Sequence, residues 1–272
     1  MGIPRSIEEV EKVVNPKGDK PYDGKTGTLH GHITITGDPP PDSGVSTPPD
    51  CPEAGETYAK AFRVGPENSA ADVLVAVTGY QGFVPAAKPA VDVKVRGCAF
   101  DKRTYAAAFG QRFEIQNFDK KASYLPYLDP APYKAVMIAL PGGAPVRVYA
   151  YQPAVNYVMR DFQARPYLTA NVFVLKFATL DVTGLDGNYE IKGIPVGKVK
   201  VSALLPAIGK TSDKEIEIAE GDNVADLELA YDAKVDKIAE AAPDPWKRGA
   251  SSSIPAGGFG TPPTPSRSAA PR

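Results

Sequence analysis

The sequence lacks several features that mark large functional classes. Its 31 Lys and Arg residues nearly balance 32 Asp and Glu residues, so the formal net charge is −1. This balance leaves no basic field that would hold nucleic acid or anionic lipid. No apolar run approaches the roughly 20 residues that a membrane-spanning helix needs. The sequence therefore predicts a protein that neither binds nucleic acid nor spans a membrane.

Histidine and cysteine are scarce, with two of each among 272 residues. His30 and His32 lie two positions apart and could offer a metal two imidazoles, but a zinc site needs further histidine or cysteine ligands. We therefore interpret them as solvated residues on the open face of a sheet. The sequence contains no Gly-x-Ser-x-Gly motif, phosphate-binding loop or other nucleophile–base pattern. We expect no enzyme activity and no cofactor.

Proline and glycine, by contrast, are abundant, with 28 and 25 residues. This composition suits short strands that are joined by many turns. Residues 26–36 alternate between apolar and polar side chains, residues 71–77 form a nearly continuous apolar run, and residues 91–95 alternate again. The length suits two small domains with tails. We predict an all-β fold of two small β-sandwiches with extended N- and C-terminal arms.

The region 96–180 carries an order of motifs that resembles a bacterial cupredoxin-like family of secreted and envelope proteins. The shared pieces are Gly97-Cys98, the turn Asn117-x-Asp119, and Arg165-Pro166-Tyr167 shortly before the apolar strand 172–175. In that family a Greek-key β-sandwich holds one copper ion. Its first ligand is a His after the Asn-x-Asp turn, and the other three come from a late Cys-x-x-His-x-x-Met loop. The resemblance implies the same sandwich here.

The copper ligands of that family are replaced in this chain. Their positions fall on Ser123, Phe162, Arg165 and Leu168. A blue-copper centre needs two imidazoles and a thiolate, and none of these side chains supplies either group. The guanidinium of Arg165 would also place a permanent positive charge beside the cation. The resemblance therefore implies the fold and argues against a bound metal.

Without copper, that end of the sandwich must be filled in another way. We expect apolar packing by Phe162, Tyr167 and Leu168. The charge of Arg165 should either reach outward to solvent or pair with a carboxylate. The candidate carboxylates are Asp161 and Asp119.

Residues 181–232 resemble the second half of a carboxypeptidase-regulatory-like, or transthyretin-like, β-sandwich. The matching pieces are the hairpin Thr183-Gly184-Leu185-Asp186-Gly187-Asn188-Tyr189 and the turn Gly193-Ile194-Pro195-Val196-Gly197. Asp-Gly is a hairpin signal, and Pro and Gly suit the second turn. The first half of such a sandwich usually begins Gly-x-Val-x-Gly-x-Val, which residues 27–33 resemble. We therefore expect residues 28–35 to pair with residues 188–202, with the cupredoxin-like region inserted between the two halves.

The predicted organisation has five segments. An N-terminal arm, residues 1–25, contains a short helix that begins at a capping box of Ser6 and Glu9. Residues 26–95 supply the first strands and are grouped with the transthyretin-like sandwich. The cupredoxin-like region 96–180 and the carboxypeptidase-regulatory-like half 181–232 follow. The tail 233–272 is rich in Pro, Gly and Ser, and it lacks the apolar surface that would offset its ordering entropy.

Cys51 and Cys98 match two cysteines that recur together in the cupredoxin-like family, so the resemblance implies a disulfide between them. Closing so long a loop stabilises a fold by a few kcal/mol on chain-entropy grounds. The alternative is two unrelated buried thiols. A structural disulfide implies an oxidising compartment, so we expect a periplasmic or extracellular envelope protein. The N-terminus carries no signal-peptide pattern, which we attribute to a mature form or to an added Met1.

Three functions remain open on these grounds. The first is a non-enzymatic envelope scaffold or accessory subunit that binds other protein subunits, including copies of itself. The second is a carbohydrate- or cell-wall-binding module that uses the tyrosines between residues 124 and 167. The third is an electron-transfer or copper-handling protein by descent. We favour the first, and the residues expected to contact a partner are Tyr124, Arg165, Tyr167, Trp246 and Phe259.

Overall fold

The protein is described by a computed structural model over residues 4–131, 137–162 and 165–239. Within these ranges the chain is mostly β-structure, which confirms the predicted all-β class. The helices are α1 (Ile7–Val14) and α2 (Pro52–Tyr58), and a 3-10 turn covers Pro66–Asn68. The strands are β1 (Thr26–Gly37), β2 (Leu74–Thr78), β3 (Ala90–Arg96), β4 (Ala99–Phe100), β5 (Thr104–Ala108), β6 (Arg112–Asn117), β7 (Pro126–Asp129), β8 (Val146–Tyr149), β9 (Asn156–Asp161), β10 (Thr169–Leu175), β11 (Leu180–Val182), β12 (Asn188–Pro195), β13 (Gly197–Leu205), β14 (Lys210–Ile218), β15 (Gly221–Val224) and β16 (Leu227–Tyr231). No helix in the described ranges has the length and apolar content that crossing a membrane requires.

The first sandwich combines strands from both ends of the described chain. One sheet has the order β12-β1-β15, with β16 also paired to β1, and the other has the order β11-β2-β13-β14. Leu29, Ile33 and Ile35 alternate along β1 and are buried in a core that both sheets share. β1 runs antiparallel to β12, with Leu29 opposite Ile191. The predicted pairing of residues 28–35 with residues 188–202 is therefore present.

The turn before β12 holds the start of that strand against β1. Gly187 has φ +69°, and a Cβ there would lie 2.7 Å from the Ile33 carbonyl oxygen. The Ile33 amide donates to the Gly187 carbonyl oxygen at 2.9 Å. Glycine is required at this position because no larger residue allows both the dihedral angle and the close approach.

The second sandwich occupies the middle of the chain. Its sheets have the orders β5-β10-β9-β7 and β4-β3-β6-β8, and Phe113 and Ile115 of β6 lie at the centre of its core. β3 runs parallel to β6, with Val93 and Val95 completely buried in that same core. Residues 90–95 therefore lie with the second sandwich and not, as expected from the sequence, with the strands before them.

A disulfide joins Cys51 and Cys98, as the resemblance implied. It fastens the start of α2 to the turn before β4. In that turn Gly97 has φ +53°, and a Cβ there would lie 1.8 Å from Glu53 Oε2. The glycine therefore lets α2 lie directly against the disulfide-bonded turn.

The helix α1 begins at the predicted capping box. The Glu9 amide donates to Ser6 Oγ at 3.2 Å, and the Ser6 amide donates to Glu9 Oε2 at 3.0 Å. Its apolar stripe, Val10, Val13 and Val14, packs against the second sandwich. A helix of 8 residues is not stable alone in water, so this packing is what holds it.

A buried ion pair lies where the two sandwiches meet. Arg63 donates from Nε and Nη2 to the two carboxylate oxygens of Asp72, each at 2.7 Å. The two side chains are only 10% and 5% exposed. Asp72 Oδ1 also accepts a hydrogen bond from the Arg103 amide at 2.7 Å. Asp72 precedes β2 of the first sandwich and Arg103 precedes β5 of the second, so one carboxylate joins both.

Two further contacts cross the same junction. Leu74 and Val182 of the first sandwich form a small buried cluster with Ala106 of the second. Lys102 Nζ donates to the Val182 carbonyl oxygen at 2.6 Å. The junction therefore combines apolar packing with a charged pair that is withdrawn from solvent.

Replacing Asp72 by Asn should lower the free energy of unfolding by about 3 kcal/mol, because the buried Arg63 loses its counter-charge. Asn has the same shape and tolerates the φ of +64° at this position, so the loss reports on the charge. Urea unfolding measures it. The matched control is Asp42→Asn, whose pair with Lys60 is exposed and should contribute about 0.5 kcal/mol or less. Equal losses in the two variants would contradict the assigned role of Asp72.

Candidate functional site

One end of the second sandwich is closed by a network that starts at the last residue of β6. Asn117 donates from Nδ2 to the carbonyl oxygens of Ala122 at 2.7 Å and Ala139 at 2.8 Å. Its Oδ1 accepts from the Asp119 amide at 2.9 Å, which is the turn that the Asn-x-Asp spacing favours. This buried amide therefore fastens the loop after β6 to the segment around Ala139. We call this region the closed end.

Asp119 extends the network to the disulfide-bonded turn. Its Oδ1 accepts from the Gly97 amide at 2.8 Å, and its Oδ2 accepts from the Tyr124 hydroxyl. The same hydroxyl oxygen accepts from the Cys98 amide at 3.0 Å. Burial and the hydrogen bond to Asp119 raise the pKa of Tyr124. Both polar side chains are therefore fully used in holding the closed end together.

Arg165 lies over the ring of Tyr124. Its guanidinium carbon lies 4.7 Å from the centre of the Tyr124 ring, and Nη1 donates to Asp161 Oδ2 at 2.7 Å. The Asp161 side chain is 0% exposed, and its Oδ1 accepts from the Leu125 amide at 2.7 Å. Of the two carboxylates considered for Arg165, Asp161 is the partner, whereas Asp119 is bonded to Tyr124.

The resemblance aligns copper ligands with four positions that lie at or near this ion pair: Ser123, Phe162, Arg165 and Leu168. Ser123 offers its carbonyl oxygen to Arg165 Nη1 at 3.4 Å, and Leu168 is buried in the core as expected. The expectation that Phe162 fills the interior is wrong, because it is 44% exposed. Its ring meets Tyr127 edge-on at a centroid distance of 6.0 Å. Alternation along β9 turns Asp161 inward, so the next side chain points outward.

The described residues among those predicted to contact a partner do not form one exposed surface. Tyr124 is 1% exposed, so it cannot contact a partner in this conformation. Arg165 is largely covered. Tyr167 is half-buried and packs against Tyr58 with the ring centroids 5.7 Å apart. Two predicted contact residues lie outside the described residues: Trp246 and Phe259.

Half of the described tyrosines considered for sugar binding are internal. Tyr124, Tyr127 and Tyr157 are buried, and the Tyr157 hydroxyl donates to the Gln152 carbonyl oxygen at 2.9 Å. Tyr149, Tyr151 and Tyr167 are half-buried, and Tyr133 lies outside the described residues. A buried ring has no free face on which a sugar could stack, so the three buried tyrosines cannot contribute to an aromatic platform.

Besides Phe162, four exposed apolar side chains that no sequence-based prediction included lie near Asn117 and Ala139 at the closed end. They are between 46% and 57% exposed. We call them the apolar rim: Phe118, Met137, Ile138 and Leu140. Exposed large apolar side chains that lie close together mark contact surfaces more often than isolated ones do.

The backbone explains why the apolar rim faces solvent. Ala139 forms an antiparallel bridge with Tyr124 and points inward, so Ile138 and Leu140 on either side of it point outward. The Gly142 amide donates to the Asn117 carbonyl oxygen at 3.2 Å, which holds this segment beside the loop after β6. The Ile-Ala-Leu alternation was the one available sequence signal, and its meaning depends on which residue Ala139 pairs with.

The two histidines lie beside each other on the partly exposed face of β1. His30 Nε2 is 3.2 Å from Asp222 Oδ1, and its Nδ1 is 3.7 Å from Glu190 Oε1. His32 Nε2 is 2.8 Å from Ser69 Oγ. Over the described parts of the chain, no three or more His, Cys, Asp or Glu side chains are grouped so that they could hold a metal ion.

Comparison with known proteins assigns neither a family nor an activity. The chain matches no family model, no curated protein and no solved structure. The fold and the geometry of the closed end are therefore the basis on which a function can be assigned.

Replacing Arg165 by Ala should lower the free energy of unfolding by about 2–3 kcal/mol, because the fully buried Asp161 loses its counter-charge. Chemical denaturation measures the loss. Arg96→Ala is the matched control, since its pair with Glu53 is largely exposed and should contribute about 0.5 kcal/mol or less. A stable Arg165→Ala protein that no longer joined its assembly would instead make Arg165 a contact residue.

Alkali should unfold the protein through its buried tyrosines. Burial raises the pKa of Tyr58, Tyr105, Tyr124 and Tyr189. A tyrosine whose folded pKa exceeds its unfolded value near 10 stabilises the fold fully below about pH 10. That contribution is lost as the pH rises further. Tyrosinate absorbance and near-ultraviolet circular dichroism should therefore change together above that pH. Gradual ionisation of every tyrosine near pH 10 with the dichroism retained would contradict this.

Proposed function

We propose that this protein is a non-enzymatic scaffold or accessory subunit of a larger assembly in the cell envelope. We further propose that the apolar rim is its contact surface. The observation that carries the proposal is the arrangement of the closed end. Its two carboxylates are bound by Arg165, the Tyr124 hydroxyl and backbone amides, while the four side chains of the apolar rim face solvent.

The two carboxylates of the closed end have partners within the protein. Asp119 binds the Gly97 amide and the Tyr124 hydroxyl, and Asp161 binds Arg165 and the Leu125 amide. A catalytic acid, base or nucleophile must reach the substrate with the group that reacts. Side chains whose polar atoms are used up in this way support a structural role for this end.

The apolar rim is suited to binding because its base is rigid. Asn117 holds the segment around Ala139 through a hydrogen bond of 2.8 Å, and the disulfide anchors the neighbouring turn at Cys98. Phe and Met are enriched in protein interfaces, and a preorganised surface loses less entropy when it binds. A surface that is held in place in this way is better suited to docking than a mobile loop.

The disulfide supports the envelope location. Structural disulfides persist in oxidising compartments such as the periplasm and the cell exterior. Cys51 and Cys98 are both buried, which keeps the bond away from reductants. Because the disulfide must be intact, the effect of mutations on the assembly is best measured on protein that has been purified from an oxidising compartment.

Replacing Ile138 and Leu140 together by Lys should release the protein from its native assembly, because two charges would be placed at the centre of an apolar contact. Native mass measured after gentle purification should fall to that of the free chain. The control is Leu185→Lys, which adds a charge at an exposed apolar position in the first sandwich. The double variant should fold normally, since both side chains already face solvent. Full retention of the double variant in the assembly would reject the apolar rim as the contact surface.

A further inference from the structure

A groove of about 560 Å³ crosses the first sandwich where β1 lies between β12 and β15. Three carboxylates line it, and Asp222 borders it beside His30. We call these four residues the acidic groove: Asp181, Glu190, Asp222 and Asp226. Lys192 pairs with Glu190 at 2.9 Å and offsets one of the four carboxylates. The groove therefore keeps a net negative charge.

The acidic groove also offers an apolar contact. Val224 lies on its wall and is 70% exposed. It belongs to β15, which is an edge strand of its sheet. An exposed apolar side chain among carboxylates suits a partner that combines apolar and basic side chains.

The apolar rim has the opposite charge at its border. Lys120 and Lys121 follow Phe118 in the loop after β6, and both are exposed. On the side of Met137, Arg147 lines the adjoining groove and is also exposed. The carboxylate there, Glu114, accepts hydrogen bonds from Arg112 at 2.8 Å and from Arg147 at 3.2 Å. Basic groups therefore outnumber acidic ones around the apolar rim.

We infer that the apolar rim and its lysines dock onto the acidic groove of a second copy of this chain, so that copies join head to tail. The two surfaces are complementary in charge, both expose apolar side chains, and they lie on different sandwiches. One copy can therefore use both surfaces at once. A contact between two different surfaces builds rings or open filaments instead of closed pairs. The inference rests on the proposed function, because it names another copy as the partner of the apolar rim.

Charge reversal on each surface tests this contact. A rim variant carries Lys120→Glu and Lys121→Glu, and a groove variant carries Glu190→Lys and Asp222→Lys. Sedimentation velocity of the full chain over a range of concentrations and salt measures self-association. The wild type should form species larger than a dimer, and added salt should weaken them. Each variant alone should associate at least about tenfold more weakly, because like charges then face each other.

Mixing the two variants gives the decisive result. The rim of the groove variant is basic and meets the unchanged groove of the rim variant, while the two reversed surfaces also attract each other. Association in the mixture should therefore return toward the wild-type level. A wild type that stays monomeric, a groove variant that associates normally, or a mixture that stays dissociated would overturn the inference. The Ile138→Lys, Leu140→Lys double variant tests the proposed function separately. The proposed function stands if this variant no longer binds a native subunit other than a copy of this chain. It fails if the variant still binds every subunit of its native assembly.

Discussion

The buried carboxylate of Asp72 is the constraint on which the arrangement of the two sandwiches depends. A carboxylate that is withdrawn from water is costly unless opposite charge and hydrogen bonds compensate it. Asp72 obtains both, from the guanidinium of Arg63 and from the Arg103 amide. Because Arg103 belongs to the second sandwich, the carboxylate has both its counter-charge and this hydrogen bond only when the two sandwiches are in contact. The junction therefore follows from the cost of an unpaired charge as well as from the apolar cluster beside it.

The same principle shapes the closed end. Asp161 is fully buried, and Arg165 and the Leu125 amide compensate it, while Asp119 is compensated by the Gly97 amide and Tyr124. Asp161 and Arg165 lie among the four positions that the resemblance aligns with copper ligands. Charged and polar groups are thus used to close the end of the sandwich. The surface at this end that is available to bind a partner is the apolar rim, with basic residues at its border.

The sequence predicts the elements whose signals are local. The alternation along β1, the capping box of α1 and the Asn117-x-Asp119 turn all depend on residues close together in the chain. The pairing of Arg165 with Asp161 was one of the alternatives that the sequence left open, beside pairing with Asp119 and an outward-facing side chain. Tyr124 shows the limit of such reasoning. Its aromatic ring suggests a contact residue, yet its hydroxyl has partners on two distant turns and the ring is buried.

The parts that could not be predicted depend on tertiary pairing. The alternation at residues 91–95 fits either sandwich, and only the parallel pairing with β6 decides between them. The outward direction of Phe162 follows from the inward direction of Asp161, which in turn follows from its ion pair. The acidic groove collects carboxylates from β11, β12 and the chain around β15. No pattern in the linear sequence indicates that these side chains share one groove.

The most direct test of the account is chemical cross-linking of the native assembly with an amine-reactive reagent, followed by mapping of the linked peptides. Lys120 and Lys121 are exposed amines at the border of the apolar rim. The account predicts that they are linked to a neighbouring subunit or are protected from single-ended modification. Full modification of both lysines in the intact assembly, with every intersubunit link placed elsewhere, would contradict the claim that the closed end is the contact surface.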